Sequence, residues 1–388
     1  MPPLILVGGA IANTAGKGGD TWHRLHWLLG LRRLGARVHL VEQIHDATCV
    51  DACGAPVDIL QSPNAAYFRD VVAAFKLTDC ATLLGERCQT AHGLPIAEVR
   101  RLAGEADLLV NISGHLPWRD LGLRPRRAVF VDEDPGFTQM WHVGGALGRS
   151  LDGYDAYYSV GAHVGRSSCA IPTGGIAWRP LRPFAVLSEW PAAPEMDFAG
   201  FTTVGSWRGP CGALEFGGVR YGVKAHEFRK FVAVPGATSA TFELALDIHD
   251  DDRADRALLS SHGWHLVEPG AVAGDPFAFR SYVQQSSAEF SVAKHMYVQT
   301  QSGWFSDRTI RYLSSGRPAL VQDTGFGTTY GDGVGIVPFR TQHEILDGVC
   351  HIAAHYREHC AAARAIAERY FDSDTVLTAF LDGVGVEL

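Results

Sequence analysis

Residues 302–325 read Ser302-Gly303-Trp304-Phe305-Ser306-Asp307-Arg308-Thr309-Ile310-Arg311-Tyr312-Leu313-Ser314-Ser315-Gly316-Arg317-Pro318-Ala319-Leu320-Val321-Gln322-Asp323-Thr324-Gly325. The spacing predicts a helix over 306–315, stopped by Gly316 with Pro318 beyond it. Ala319-Leu320-Val321 is a short apolar run of the kind buried in a parallel sheet. Gly303 lets a backbone approach a ligand closely, and Ser306 or Asp307 caps the helix. The unpaired N–H groups at such a helix start, with the macrodipole behind them, favour an anion. Arg308 and Arg311 are candidates for bidentate contacts to phosphate or carboxylate.

The same strand–helix alternation runs through the chain. Leu4-Ile5-Leu6-Val7 reads as a buried strand closed by Gly8-Gly9, followed by a glycine-rich loop to Gly19. A helix over 21–34 follows, with Asp20 as N-cap and Gly35 past its end, then a strand over 37–41. Helices over 65–75 and 96–103 and strands over 107–112, 128–131 and 157–160 continue the pattern. Pro180, Pro183, Pro191 and Pro194 interrupt it, which predicts a linker over 184–200. Beyond it come strands over 201–205, 241–248, 265–267 and 289–292, with helices over 225–232, 252–262 and 277–286. Helices over 343–356, 361–371 and 376–381 end the chain. The expected class is α/β, with two Rossmann-like doubly wound domains, 1–183 and 201–370, facing a cleft.

Composition narrows the function classes. The chain has 388 residues, 46% hydrophobic and 20% charged, which excludes a disordered chain or a small disulfide scaffold. Acidic residues outnumber basic ones 42 to 34, so a general nucleic-acid binder is not expected. The eight cysteines contain no C-x-x-C pair, and Met1-Pro2-Pro3-Leu4 lacks a charged, apolar leader. No run is long enough to span a bilayer, so a cytoplasmic protein is expected. Only five basic residues are lysines, namely Lys17, Lys76, Lys224, Lys230 and Lys294. Each is a candidate compact point charge or plain surface charge.

The 302–325 segment resembles the donor-site segment of GT-B-fold glycosyltransferases, including CgeB-like and group 1-like bacterial enzymes. Val204-Gly205-Ser206-Trp207 followed by Lys224 is similar to the family's first C-domain strand and its phosphate-binding lysine. Gly263 to Pro269 stands where such folds hold the nucleobase, and the loop from Gly8 to Asp20 resembles the glycine-rich loop facing the donor. The resemblance implies a nucleotide-diphosphate sugar as co-substrate and no other cofactor. It implies donor contacts from Gly9, Lys17, Gly18, Gly19, Ser206, Lys224, Val267, Ser302, Gly303, Trp304, Phe305, Ser306, Asp307 and Arg308. It also implies that residues 371–388 return to the first domain. The Glu-x7-Glu pattern of many retaining relatives is replaced by Gly303 and Arg311, so Asp307 is the carboxylate left for the donor ribose.

On the acceptor side, His115 follows the strand ending at Ile112 and is a candidate general base, as are Asp134 and His163. Asp132-Glu133-Asp134 is a carboxylate triplet at a strand end: an acceptor contact, a base, a capped turn or, least favoured, a metal site. No metal is expected, because helix dipoles and basic side chains can meet the phosphate charge. Asp250-Asp251-Asp252 reads as acid complementing a helix start. Trp118, Trp141 and Trp190 are candidates for stacking on a sugar or for core packing, and Lys294 for reaching the donor. The expected activity is sugar transfer to a small-molecule acceptor, with a natural product as the analogy-based choice. Rivals are an epimerase of the same fold, a non-catalytic nucleotide-sugar binder, and a dehydrogenase, which lacks a G-x-G-x-x-G at the first strand–helix junction.

Overall fold

The structure is a computed structural model and describes residues 2–388 other than 52, 210, 328 and 332. The first half runs β1 (Leu4–Gly8), α1 (Gly18–Arg33), β2 (Arg37–Ile44), α2 (Pro63–Ala74), β3 (Ala81–Gly85), β4 (Thr90–His92) and α3 (Ile96–Glu105). It continues with β5 (Leu108–Ile112), β6 (Ala128–Asp132), α4 (Phe137–Val143), β7 (Ala156–Ser159) and β8 (Trp178–Pro180). These strands form one sheet in the order β4-β3-β2-β1-β5-β6-β7-β8, parallel except for β3–β4. Strands β1, β3, β5 and β6 are buried at every position, as expected of a sheet covered on both faces.

The second half runs β9 (Phe201–Ser206), β10 (Leu214–Phe216), β11 (Val219–Tyr221), α5 (Lys224–Phe228), β12 (Phe242–Asp247), α6 (Arg253–Ser261) and β13 (His265–Leu266). Then come α7 (Pro269–Ala273), α8 (Pro276–Gln285), β14 (Ala288–Ser291), α9 (His295–Thr300), α10 (Asp307–Ser314), β15 (Ala319–Gln322) and β16 (Ile336–Phe339). The second sheet is parallel in the order β13-β12-β9-β14-β15-β16, with β10–β11 a separate hairpin. Strand order reverses between β1 and β5 and again between β9 and β14, and ligands of open α/β sheets bind at such points. Helices α11 (Gln342–Ala354), α12 (Tyr356–Tyr370) and α13 (Ser373–Val384) close the chain. None of the helices described is long and apolar enough to cross a membrane.

Some expectations are corrected. Helix α1 starts at Gly18, with Lys17 at the N-cap and Asp20 inside the first turn. Trp178–Pro180, inside the proline-rich interruption, is an edge strand, where a missing N–H is tolerated. The following 184–200 stretch lacks strands but is no loose tether, because Phe184, Ala185, Val186 and Trp190 are buried. Trp190 therefore belongs to the core, against Trp22 and Phe279.

One apolar core joins the halves, since Trp22, Trp190, Phe279 and Val283 pack in the same cluster. The Trp22 indole N–H donates to the Pro276 carbonyl at 2.6 Å. Helix α13 lies on α1, where Leu377 and Phe380 meet Trp27 and Gly30. A Cβ on Gly30 would fall 2.5 Å from Leu377 Cδ1, so the crossing needs glycine there.

Helix α12 is tied to the loop before β16 by a titratable group. Buried His359 accepts the Gly335 N–H on Nδ1 at 3.0 Å, so neutral His359 carries its proton on Nε2, 3.0 Å from His351 Nδ1. Burial, and then His351, lower its pKa from 6.5 to about 4. The unfolded chain binds this proton first, so stability is full above pH 6.5 and falls towards pH 4. This group should remove about 2 kcal/mol between pH 7 and pH 5. Urea unfolding of wild type and H359N at both pH values checks it: the Asn oxygen takes the Gly335 N–H without titrating, so the variant's pH dependence should be smaller by that amount.

Candidate functional site

The carboxyl ends of β9 and β14 and the start of α10 converge on Gly205. A Cβ there would lie 3.0 Å from Lys224 Nζ and 3.2 Å from Arg308 Nη1, so glycine admits two cations to the strand end. Their partnerships differ. Arg308 is largely but not fully buried, with Nε donating to Glu289 at 2.5 Å, Nη1 to the Val204 carbonyl at 2.7 Å and Nη2 to Ser291 Oγ at 2.8 Å. Three of its five N–H donors are thus committed to the sheet, a commitment the sequence reading did not expect.

Lys224 has no acceptor among the described residues. Burial, then Arg308 and Lys294, lower its pKa to about 7. A cation held this way favours a bound anion. The backbone N–H groups of Asp307, Arg308 and Thr309 lack backbone acceptors among the described residues, as at any open helix start.

The remaining donor-loop expectations divide. Asp307 forms an ion pair with Arg311, Nη2 to Oδ2 2.9 Å, and faces His23 Nδ1 at 3.6 Å. Against the cost of burial, Arg311 and then His23 hold its carboxyl well below the usual range. Asp307 is therefore engaged within the protein, and Arg311, buried against Phe279, is corrected as a ligand contact. The Phe305 ring lies in the core with Phe326, Tyr330 and Phe371, so only its backbone faces the loop. Ser306 sits at the N-cap position of α10 without a side-chain capping bond. Trp304 packs on Tyr297 with ring centroids 4.6 Å apart, and its N–H donates to Ser302 Oγ. Ser206 ends β9 half-buried, and the Val267 N–H donates to the Leu244 carbonyl at the sheet edge.

From the first domain, Gly9 sits against the Arg24 side chain, and Lys17 is exposed. A Cβ on Gly18 would collide with the Asp275 carbonyl, and one on Gly19 would fall 3.2 Å from Phe279. These glycines serve the α1–α8 packing, which explains the absence of a side chain there without a ligand. The loop's own support is Glu42, which sequence reasoning missed. Its buried carboxylate accepts the N–H groups of Ile11, Ala12 and Asn13 at 2.7, 3.0 and 2.7 Å. An acid directly after the apolar run Leu40-Val41 of β2 was the available signal.

The carboxylate triplet does three different things. Asp132 accepts from Thr138 Oγ, Gln139 Nε2, Ser159 Oγ and the Asp134 N–H at 2.6, 2.8, 2.7 and 3.1 Å, which engages both of its oxygens within the protein. Glu133 pairs with His23 and lies 3.5 Å from Arg24. Against burial, His23 and then Arg24 lower its pKa to about 2. Asp134 pairs with Lys294 and accepts the Tyr297 hydroxyl at 2.6 Å. Lys294 is thereby turned from the donor towards Asp134, over the Phe137 and Tyr297 rings. His115 stands exposed on the turn after β5; protein packed around it, and then Arg24, lower its pKa to about 4. Trp118 and Trp141 are half-buried. Asp252 pairs with Arg208 next to the start of α6. A shallow depression of about 710 Å³ near Pro235, Thr241 and His262 lies at the opposite, amino ends of β12 and β13.

No family model matches the chain, and no curated protein matches it in sequence. Solved structures do match over nearly the whole length. An alpha-glucosyltransferase in complex with UDP is 10% identical, covering 98% of this chain and 99% of that one with a TM-score of 0.61. Anabaena HepE in complex with UDP-glucose is 13% identical, with coverage of 98% and 99% and a TM-score of 0.58. Sucrose-phosphate synthase from Thermosynechococcus elongatus is 11% identical, with coverage of 99% and 98% and a TM-score of 0.57. The chain therefore has the GT-B fold, the two-sheet architecture of these glycosyltransferases.

Proposed function

We propose that this protein transfers a sugar from a nucleoside diphosphate sugar to a small-molecule acceptor. The observation that carries the reading is Lys224: a cation unpartnered among the described residues, beside Arg308 of the first turn of α10, whose N–H groups are open. As the glycosidic bond breaks, the leaving diphosphate gains charge, and these groups meet it without rearranging. The structures resembling this chain include complexes with UDP and UDP-glucose, which supports a nucleotide-sugar donor. One such complex also holds DNA, but the net charge of −8 favours a small acceptor here. His115, open to solvent and neutral at pH 7, is the group suited to take a proton from an acceptor hydroxyl, with Asp134 as the alternative.

Mass spectrometry of the protein with a nucleotide-sugar panel and candidate acceptors tests the reading. A glycosylated acceptor is expected; release of an epimerised free sugar from donor alone would contradict transfer. Because Asp132 is saturated by protein donors, excess EDTA should leave activity within about twofold, whereas complete loss would revive a metal role.

A further inference from the structure

We propose that His163 reads the transferring sugar, accepting a hydrogen bond from one of its hydroxyls on Nε2; this rests on the nucleotide-sugar reading above. His163 belongs to the segment after β7 in the first domain, yet its ring lies on the donor loop of the second. Its Nδ1–H donates to the Gln301 carbonyl at 2.8 Å, and its backbone N–H to the Ser302 carbonyl at 3.0 Å. A carbonyl only accepts, so neutral His163 has its proton on Nδ1 and its lone pair on Nε2. That lone pair has no partner among the described residues, and Nε2 is not sealed from solvent.

The surroundings are shaped to keep the ring in place. A Cβ on Gly303 would stand 2.9 Å from Cδ2 and 3.1 Å from Nε2 of His163, and one on Gly325 would stand 3.2 Å from Cε1. The space that Gly303 leaves open is thus filled by this imidazole. Gln301 presents its carbonyl from a left-handed conformation, φ +48°, held by its own side-chain bond to the Val298 carbonyl at 2.9 Å. A non-glycine residue in that region is strained, and such strain accumulates where a group must be aimed. The aimed group here is an acceptor nitrogen on the loop that leads into the α10 start, where a sugar extending from the diphosphate would present hydroxyls.

The two amide isosteres separate the roles of the two nitrogens. In H163N the amide takes the place of Nδ1 and keeps the bond to Gln301; in H163Q it takes the place of Nε2. Titrations use UDP, UDP-glucose and whichever panel sugar wild type binds most tightly, with thermal melts confirming that both variants are folded. The expected result is that H163N binds UDP within twofold of wild type but the nucleotide sugar about five- to tenfold more weakly, and that H163Q recovers part of the loss. Equal weakening of UDP and nucleotide sugar, unchanged nucleotide-sugar binding, or a rise confined to the acceptor KM would each overturn the assignment. Failure of wild type to bind any nucleotide sugar would overturn the donor reading and this inference with it.

Discussion

Lys224→Met should lower kcat/KM by two to three orders of magnitude while leaving the fold at least as stable as wild type. Removing one preorganised donor from a developing anion has effects of about 10²- to 10³-fold in rate. The stability prediction has the opposite sign because, without ligand, Lys224 is a partly buried cation repelled by Arg308 and Lys294. Methionine keeps the length of the side chain and removes that repulsion. A group that weakens the empty protein and strengthens the occupied one is the pattern of a binding site. Steady-state kinetics with a thermal melt checks both halves; a variant with low activity and a lowered Tm would mean that Lys224 is structural.

Glu289→Ala should have the largest effect on stability, about 3–5 kcal/mol, read as a lowered urea midpoint. Glu289 is fully buried in β14 and accepts Arg308 Nε, so its loss strands a guanidinium inside the sheet end. Breaking a buried pair from one side is far more damaging than its net worth, because the remaining charge stays desolvated. The predicted order is therefore E289A far below wild type, with a double variant E289A/R308M recovering part of the loss. A midpoint shift equivalent to less than about 1 kcal/mol would show that the pair is not holding β9 and β14 to α10.

Both residues show what the sequence makes readable. Long apolar runs such as Leu4–Gly8 and Leu108–Ile112 announce buried parallel strands, and the proline-rich break falls near the change of sheet. Three-residue elements escape this reading: β4, β8, β10 and β11 are too short for periodicity to speak. Within the site, the start of α10 after the 302–306 loop was legible as a helix start, but the commitments of its arginines were not. Arg308 finds Glu289 from another strand, a long-range pairing that no local pattern encodes. Arg311 and Asp307 are an i, i+4 pair, a signal that was present and outweighed by the phosphate reading. Gly18 and Gly19 show the same ambiguity, since glycine serves a close helix approach as readily as a ligand.

Lys224 also gives the account its most direct test. With its pKa lowered to about 7 by burial, Arg308 and Lys294, it is incompletely protonated at neutral pH, and a bound diphosphate should complete that protonation. A nucleotide sugar carries no phosphate group that titrates near neutrality, so the proton must come from buffer onto the protein. Calorimetric titration of the best-binding nucleotide sugar in buffers of different ionisation heat should show fractional proton uptake at pH 7, growing as the pH is raised to 8. That uptake should vanish in Lys224→Met. Binding with no uptake by wild type, or with uptake unchanged in Lys224→Met, would contradict the placement of the diphosphate on Lys224.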